Sequence, residues 1–77
     1  MDMNSKPSYT PSDKVVTFLM EVHYGEEADV VINGVQIKAI LLQDQSTVWF
    51  RMLGKIRSLD EGSFIDYIHD LDAVSSK

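Results

Sequence analysis

The pair Asn33-Gly34 constrains this chain more than any other feature. It lies between two apolar stretches, the short run Val30-Val31-Ile32 before it and the alternating run Val35 to Leu42 after it. Asn and Gly are the residues that tolerate the positive φ of a two-residue type I′ turn. Asn-Gly between alternating apolar runs is therefore a strong hairpin signal. On the returning run Val35, Ile37, Ala39 and Leu41 share one face. Gln43-Asp44-Gln45-Ser46 makes a second turn. From Thr47 to Leu53 the alternation resumes, with Val48, Phe50 and Met52 on one side and Thr47, Trp49 and Arg51 on the other. Residues 29 to 53 thus read as a three-stranded antiparallel meander.

Beyond the meander, Gly54 breaks the pattern and Lys55-Ile56-Arg57 reads as a short basic connection. Ser58-Leu59-Asp60-Glu61 has the form of a capping box, and Ser63-Phe64-Ile65-Asp66 repeats it. Phe64, Ile65, Ile68 and Leu71 follow at helical spacing. An amphipathic helix from about Ser63 to Val74 is expected to cover one face of the sheet. Upstream, Lys14 to Tyr24 fits two periods. Val16, Phe18, Met20, Val22 and Tyr24 alternate as in a strand, whereas Val15, Leu19 and Val22 form a helical stripe with Ser12 and Asp13 as caps. The β-branched and aromatic content favours the strand. The expected fold is α+β, a small antiparallel β-meander packed by one C-terminal amphipathic helix. Residues 1–13, with Pro7 and Pro11 among Ser, Thr and Asn, read as a flexible arm, residues 14–74 as the domain and 75–77 as a tail.

A chain of 77 residues permits one domain. At that length folding buries only roughly 60% of the unfolded surface. Small domains compensate with disulfides, metals or association. There is no cysteine, which removes disulfides and cysteine zinc sites. Association with a second copy or a larger partner is the remaining route, so a homodimer or higher oligomer is expected. The first residues lack the apolar core of a secretory signal, and no run of 18 apolar residues occurs. A cytoplasmic protein is expected, in a host cytoplasm if phage-encoded, with no membrane partner.

No arrangement of residues carries an evident chemistry. His23 and His69 are far apart and have no ligand-type spacing with Asp66 or Asp70, so no metal or cofactor is expected. No nucleophile elbow and no phosphate loop occurs, and the reading is non-enzymatic. The charge is more informative. Twelve acidic residues oppose seven basic ones, a net −5, which works against direct binding of a phosphate backbone. Asp60, Glu61, Asp66, Asp70 and Asp72 put five carboxylates into thirteen residues with no Lys or Arg among them. Asp66 and Asp70 stand i,i+4, roughly 6 Å apart on a helix, similar to successive phosphates on one DNA strand. Glu26, Glu27 and Asp29 offer a second acidic patch, and Arg51, Lys55 and Arg57 gather three basic residues just upstream. Trp49 and Arg51 are of the types enriched at binding hot spots.

These features suggest an acidic module that engages a basic protein, the narrower option being a nucleic-acid-binding protein whose site it occupies as a mimic. Its contacts would come from Asp60, Glu61, Asp66, Asp70, Asp72, Glu26 and Glu27, with Trp49 as anchor. Small acidic regulators of phage or mobile-element type offer the class analogy. A structural oligomer subunit is the blander alternative.

A family resemblance also bears on function. Val31-Ile32-Asn33-Gly34-Val35-Gln36-Ile37-Lys38-Ala39 resembles the second-strand region of bacterial Sm-like RNA chaperones, the Hfq family. Gln43-Asp44 and Thr47-Val48-Trp49-Phe50 are similar to the elements that follow, and Tyr67-Ile68-His69 to the family's Tyr-Lys-His motif. Ala39 stands in place of the family's glycine and Ile68 in place of its lysine. The resemblance implies a ring-forming, five-stranded barrel that binds uridine-rich RNA through Tyr67 and His69.

Overall fold

The computed structural model of the chain describes residues 9–75. In order these form α1 (Asp13–His23), β1 (Ala28–Ile32), β2 (Val35–Leu42), β3 (Thr47–Met52), β4 (Lys55–Asp60) and α2 (Glu61–Ser75). The four strands make one antiparallel sheet in the order β1-β2-β3-β4. Both helices lie on a single face of it, α1 against β1 and β2, α2 reaching across from β4. The α+β class and the covering helix are as the sequence implies. Residues 1–8 of the expected arm and 76–77 of the expected tail lie outside the described residues.

Three expectations are corrected. Residues 13–23 are helix, and the strand reading fails there. Val15, Phe18 and Val22 are buried, while Val16, Met20 and Tyr24 are exposed. The i, i+3, i+7 stripe places three side chains on the sheet at once, and that burial outweighs the β-propensity of single residues. Each such side chain contributes about 1.5–3 kcal/mol when taken out of water. The meander has a fourth strand, because Lys55–Asp60 pairs along β3 and is not a connection. Finally, the helix after it begins at Glu61, with Asp60 as its cap and no capping box. The Ser63 backbone N–H and hydroxyl both donate to the Asp60 carboxylate, at 3.1 and 2.8 Å.

Backbone chemistry sets the connections. The α1 helix ends in a Schellman motif, with Gly25 N–H on the Val22 carbonyl and Glu26 N–H on that of Glu21, both at 3.0 Å. Gly25 holds φ +83° there, which only glycine adopts without cost. Asn33 and Gly34 take φ 54° and 79°, and Ile32 faces Val35, so the predicted type I′ hairpin forms. A second turn of the same kind joins β3 to β4 through Leu53 and Gly54, at φ 53° and 76°.

The core lies between the helices and the inner sheet face. Phe64 of α2 is its hub, with ring centroids 6.0 Å from Phe18 on α1 and 5.1 Å from Phe50 on β3. Ile37, Val48 and Ile68 are fully buried around it. At the β4 edge the inner face is closed by a cation, since the Arg57 guanidinium lies 5.8 Å from the Phe50 ring and 5.7 Å from that of Tyr67.

Candidate interaction surfaces

Two surfaces face away from this core, one on the helices and one on the bare side of the sheet. The helices are clasped at both ends. His23 Nδ1 meets Glu61 Oε2 at 2.8 Å where α1 ends and α2 begins. At the opposite end Ser12 donates its backbone N–H and its hydroxyl to Asp72, at 3.0 and 3.1 Å. The helices therefore run antiparallel.

These clasps divide the five acids of residues 60–72. Asp72 is 3% exposed and accepts hydrogen bonds from Ser12 and from the Tyr9 hydroxyl, so it is a structural anchor and is withdrawn from the outward acidic surface. Burial works against its ionisation. The bonds from Tyr9 and Ser12, with the nearby charge of Lys14, prevail and hold its pKa below the ordinary value. Glu61 faces His23. Asp60 is exposed and caps α2, and the Ser63 backbone N–H, followed by its hydroxyl, holds the carboxyl below its ordinary pKa. Asp66 and Asp70 point outward on successive turns of α2. Glu26 and Glu27 are exposed in the connection between α1 and β1.

Trp49 lies elsewhere. The strand alternation that turns Val48 and Phe50 inward turns Trp49 outward, 42% exposed, on the face away from both helices. The sheet separates it from Asp66 and Asp70, so a single partner surface does not take Trp49 as anchor and the α2 acids as rim together. On this outer face two rows cross the central strands. Ile40 of β2 stands opposite Trp49 of β3, and Lys38 stands opposite Arg51. Asp29 of β1 and Ile56 of β4 extend the second row. Glu27 borders the shallow depression between the rows. This mixed apolar and cationic face is partly visible in sequence as the Trp49-Arg51 pair. Ile56 joins it only because β4 exists.

Tyr67 and His69 sit on α2, where the Sm-like resemblance implies a strand. Tyr67 is half-buried against Phe50, centroids 5.8 Å apart, with its hydroxyl 3.7 Å from Met52 Sδ. His69 packs against Tyr9 with the rings tilted and their centroids 5.5 Å apart. Two positions apart on a helix, the two side chains diverge. Among the described residues no group of three or more His, Asp or Glu is arranged to hold a metal ion. No described helix is long and apolar enough to cross a membrane.

Comparison of the chain with protein-family models, with curated proteins and with solved structures finds no match to any of them.

Proposed function

We propose that this chain is a non-enzymatic binding module that engages a basic protein through the outward side of α2. The observation that carries the reading is the charge of that helix. Between Glu61 and Ser75 it holds Glu61, Asp66, Asp70 and Asp72 and no Lys or Arg. With Asp72 buried and Glu61 paired at the surface with His23, Asp66 and Asp70 remain as an outward pair one turn apart, and the exposed Asp60 carboxylate lies at the helix start. Like charges at i,i+4 weaken a helix by about 0.2–0.5 kcal/mol. A cationic partner removes that repulsion on binding. Such a surface accelerates encounter and selects partners more than it adds affinity, and its effect weakens with salt. The narrower form of the proposal is that the partner's site is one that otherwise holds nucleic acid, which the carboxylate pair mimics.

Affinity capture from the native host tests this, run at low and high salt with the wild-type chain and a D66N/D70N variant. The expected result is a basic protein that is retained at low salt, lost at high salt, lost with the double variant and displaced by DNA or RNA. A double variant that captures the same partners as wild type overturns the reading.

A further inference from the structure

We propose that the outer face of the sheet is the interface of a twofold homodimer, in which a second copy of this chain covers Trp49. An antiparallel sheet tolerates water on one face when that face is polar. Here it presents Ile40, Trp49 and Ile56 at 37, 42 and 63% exposure, a combination that belongs in an interface core. The charges beside them select the occupant. Lys38 and Arg51 stand side by side at the centre of the face. A basic partner would meet both. A nucleic acid would meet a chain of net charge −5, with Asp29 and Glu27 at the margin of the same face.

A second copy fits because the two central rows complement each other. The Ile40–Trp49 row and the Lys38–Arg51 row lie two residues apart along the strands, about 6.8 Å. A twofold axis running across the strands midway between them lays each row over the other row of the second copy. Arg51 then covers the partner's Trp49 as a cation over an aromatic ring, and the Lys38 stem crosses the partner's Ile40. Symmetry makes each contact twice. An axis parallel to the strands would instead set Lys38 against the partner's Arg51, and like-charge repulsion disfavours it. At the rim Asp29 approaches the partner's Glu27, where solvent screens the pair and Lys38 lies beside it. Four strands of about six residues cover about 400 Å² of sheet in projection, a small footprint beside a standard protein interface. The dimer is therefore a dissociating one. This interface lies across the sheet from the α2 acids and does not rest on the function proposed for them.

Trp49 is the chain's single tryptophan, so it reports its own burial. Sedimentation velocity and tryptophan emission are measured over the same concentration series for the wild type, R51E and I40D. Far-UV circular dichroism confirms that each exposed-face variant keeps its fold. The expected result is a monomer-to-dimer transition accompanied by a shift of emission to shorter wavelength. Both variants should remain monomeric, with unshifted emission, at concentrations at least tenfold above the wild-type midpoint. A wild-type chain that stays monomeric throughout overturns the proposal. So does a dimer whose Trp49 emission does not move, or one that R51E and I40D leave intact, because its interface lies elsewhere.

Discussion

The Tyr9 hydroxyl donates to the carboxylate of Asp72, a residue 63 positions further along the chain. Together with the two donors of Ser12, this bond ties the segment entering α1 to the last turns of α2. Replacing Asp72, itself buried, by Ala leaves three donors without their acceptor at a part-buried site. Each unmet partner costs free energy, and the charge-assisted bonds are the stronger ones. The expected loss for D72A is about 2 kcal/mol, read as a lower urea midpoint with an unchanged slope. D72N, which keeps the shape and one acceptor oxygen, should lose less.

This cluster and the Asp60 cap at the other end of α2 give stability a pH profile with two limbs. Asp72 and Asp60 have folded pKa values below the ordinary 3.8. The unfolded chain therefore takes up protons first, and stability declines as pH falls through 3.8 towards the folded values. Tyr9 moves the other way. Desolvation, then the bond to Asp72 and its charge, push its pKa from 10.0 up to about 12. Its contribution is complete below pH 10 and is lost as pH rises towards 12. Chemical denaturation across pH should show a plateau between these limbs. Y9F should remove the alkaline limb that Tyr9 contributes and leave the acid limb of Asp60.

The hairpin of Asn33-Gly34 and the inward alternation of β2 and β3 were legible because turn chemistry and period are local properties. The fourth strand was not, since β4 is an edge whose residues are nearly all exposed. Its inward-facing Arg57 packs by its guanidinium on Phe50 and Tyr67, which an apolar pattern does not reveal. In α1 the exposed Val16, Met20 and Tyr24 completed an alternation that the packing ignores. Asp72 read as one surface acid among five, because its donors are 60 and 63 residues away. The acidic side of α2 was visible as composition. Its separation from Trp49 was not, because it depends on both helices choosing the same face of the sheet.

Leu53 predicts a stabilising change. Its φ of 53° is a left-handed conformation that a leucine enters at a cost of roughly 1–2 kcal/mol. Its side chain is 74% exposed and so recovers little of that cost by packing. Asn is favoured at this position of a type I′ turn, as Asn33 shows in the other hairpin. L53N should raise stability by about 0.5–1 kcal/mol, measured by thermal or urea unfolding. If L53N unfolds at the wild-type midpoint, the β3–β4 turn is not held in this geometry.

Gly25 should tolerate substitution poorly, for two independent reasons. Alanine there must hold φ +83°, and its Cβ would come within 3.0 Å of the Gln43 Nε2. The Gln43 side chain can move, so the clash alone is small. The backbone conformation has no such relief, because both Schellman hydrogen bonds depend on it. G25A should therefore destabilise the domain by about 1 kcal/mol, and G25A/Q43A by nearly the same amount. A full recovery in the double variant would assign the cost to the clash and not to the backbone.

Asp66 and Asp70 allow stability and function to be separated. As neighbours at i,i+4 on an exposed helix face, they repel each other, so changing one to lysine converts a repulsive pair into an attractive one. D70K gives the favourable order, with the acid N-terminal to the base, and adds a cation nearer the helix C-terminus. Its folding stability should rise by about 0.5 kcal/mol, with the gain shrinking as salt is added. If the outward acids serve a basic partner, the same substitution should weaken that association while the fold becomes more stable. Parallel measurement of urea midpoint and partner capture therefore distinguishes a surface kept for binding from a helix face that is merely solvated. A variant that gains stability and keeps every partner would mark the pair as solvated surface.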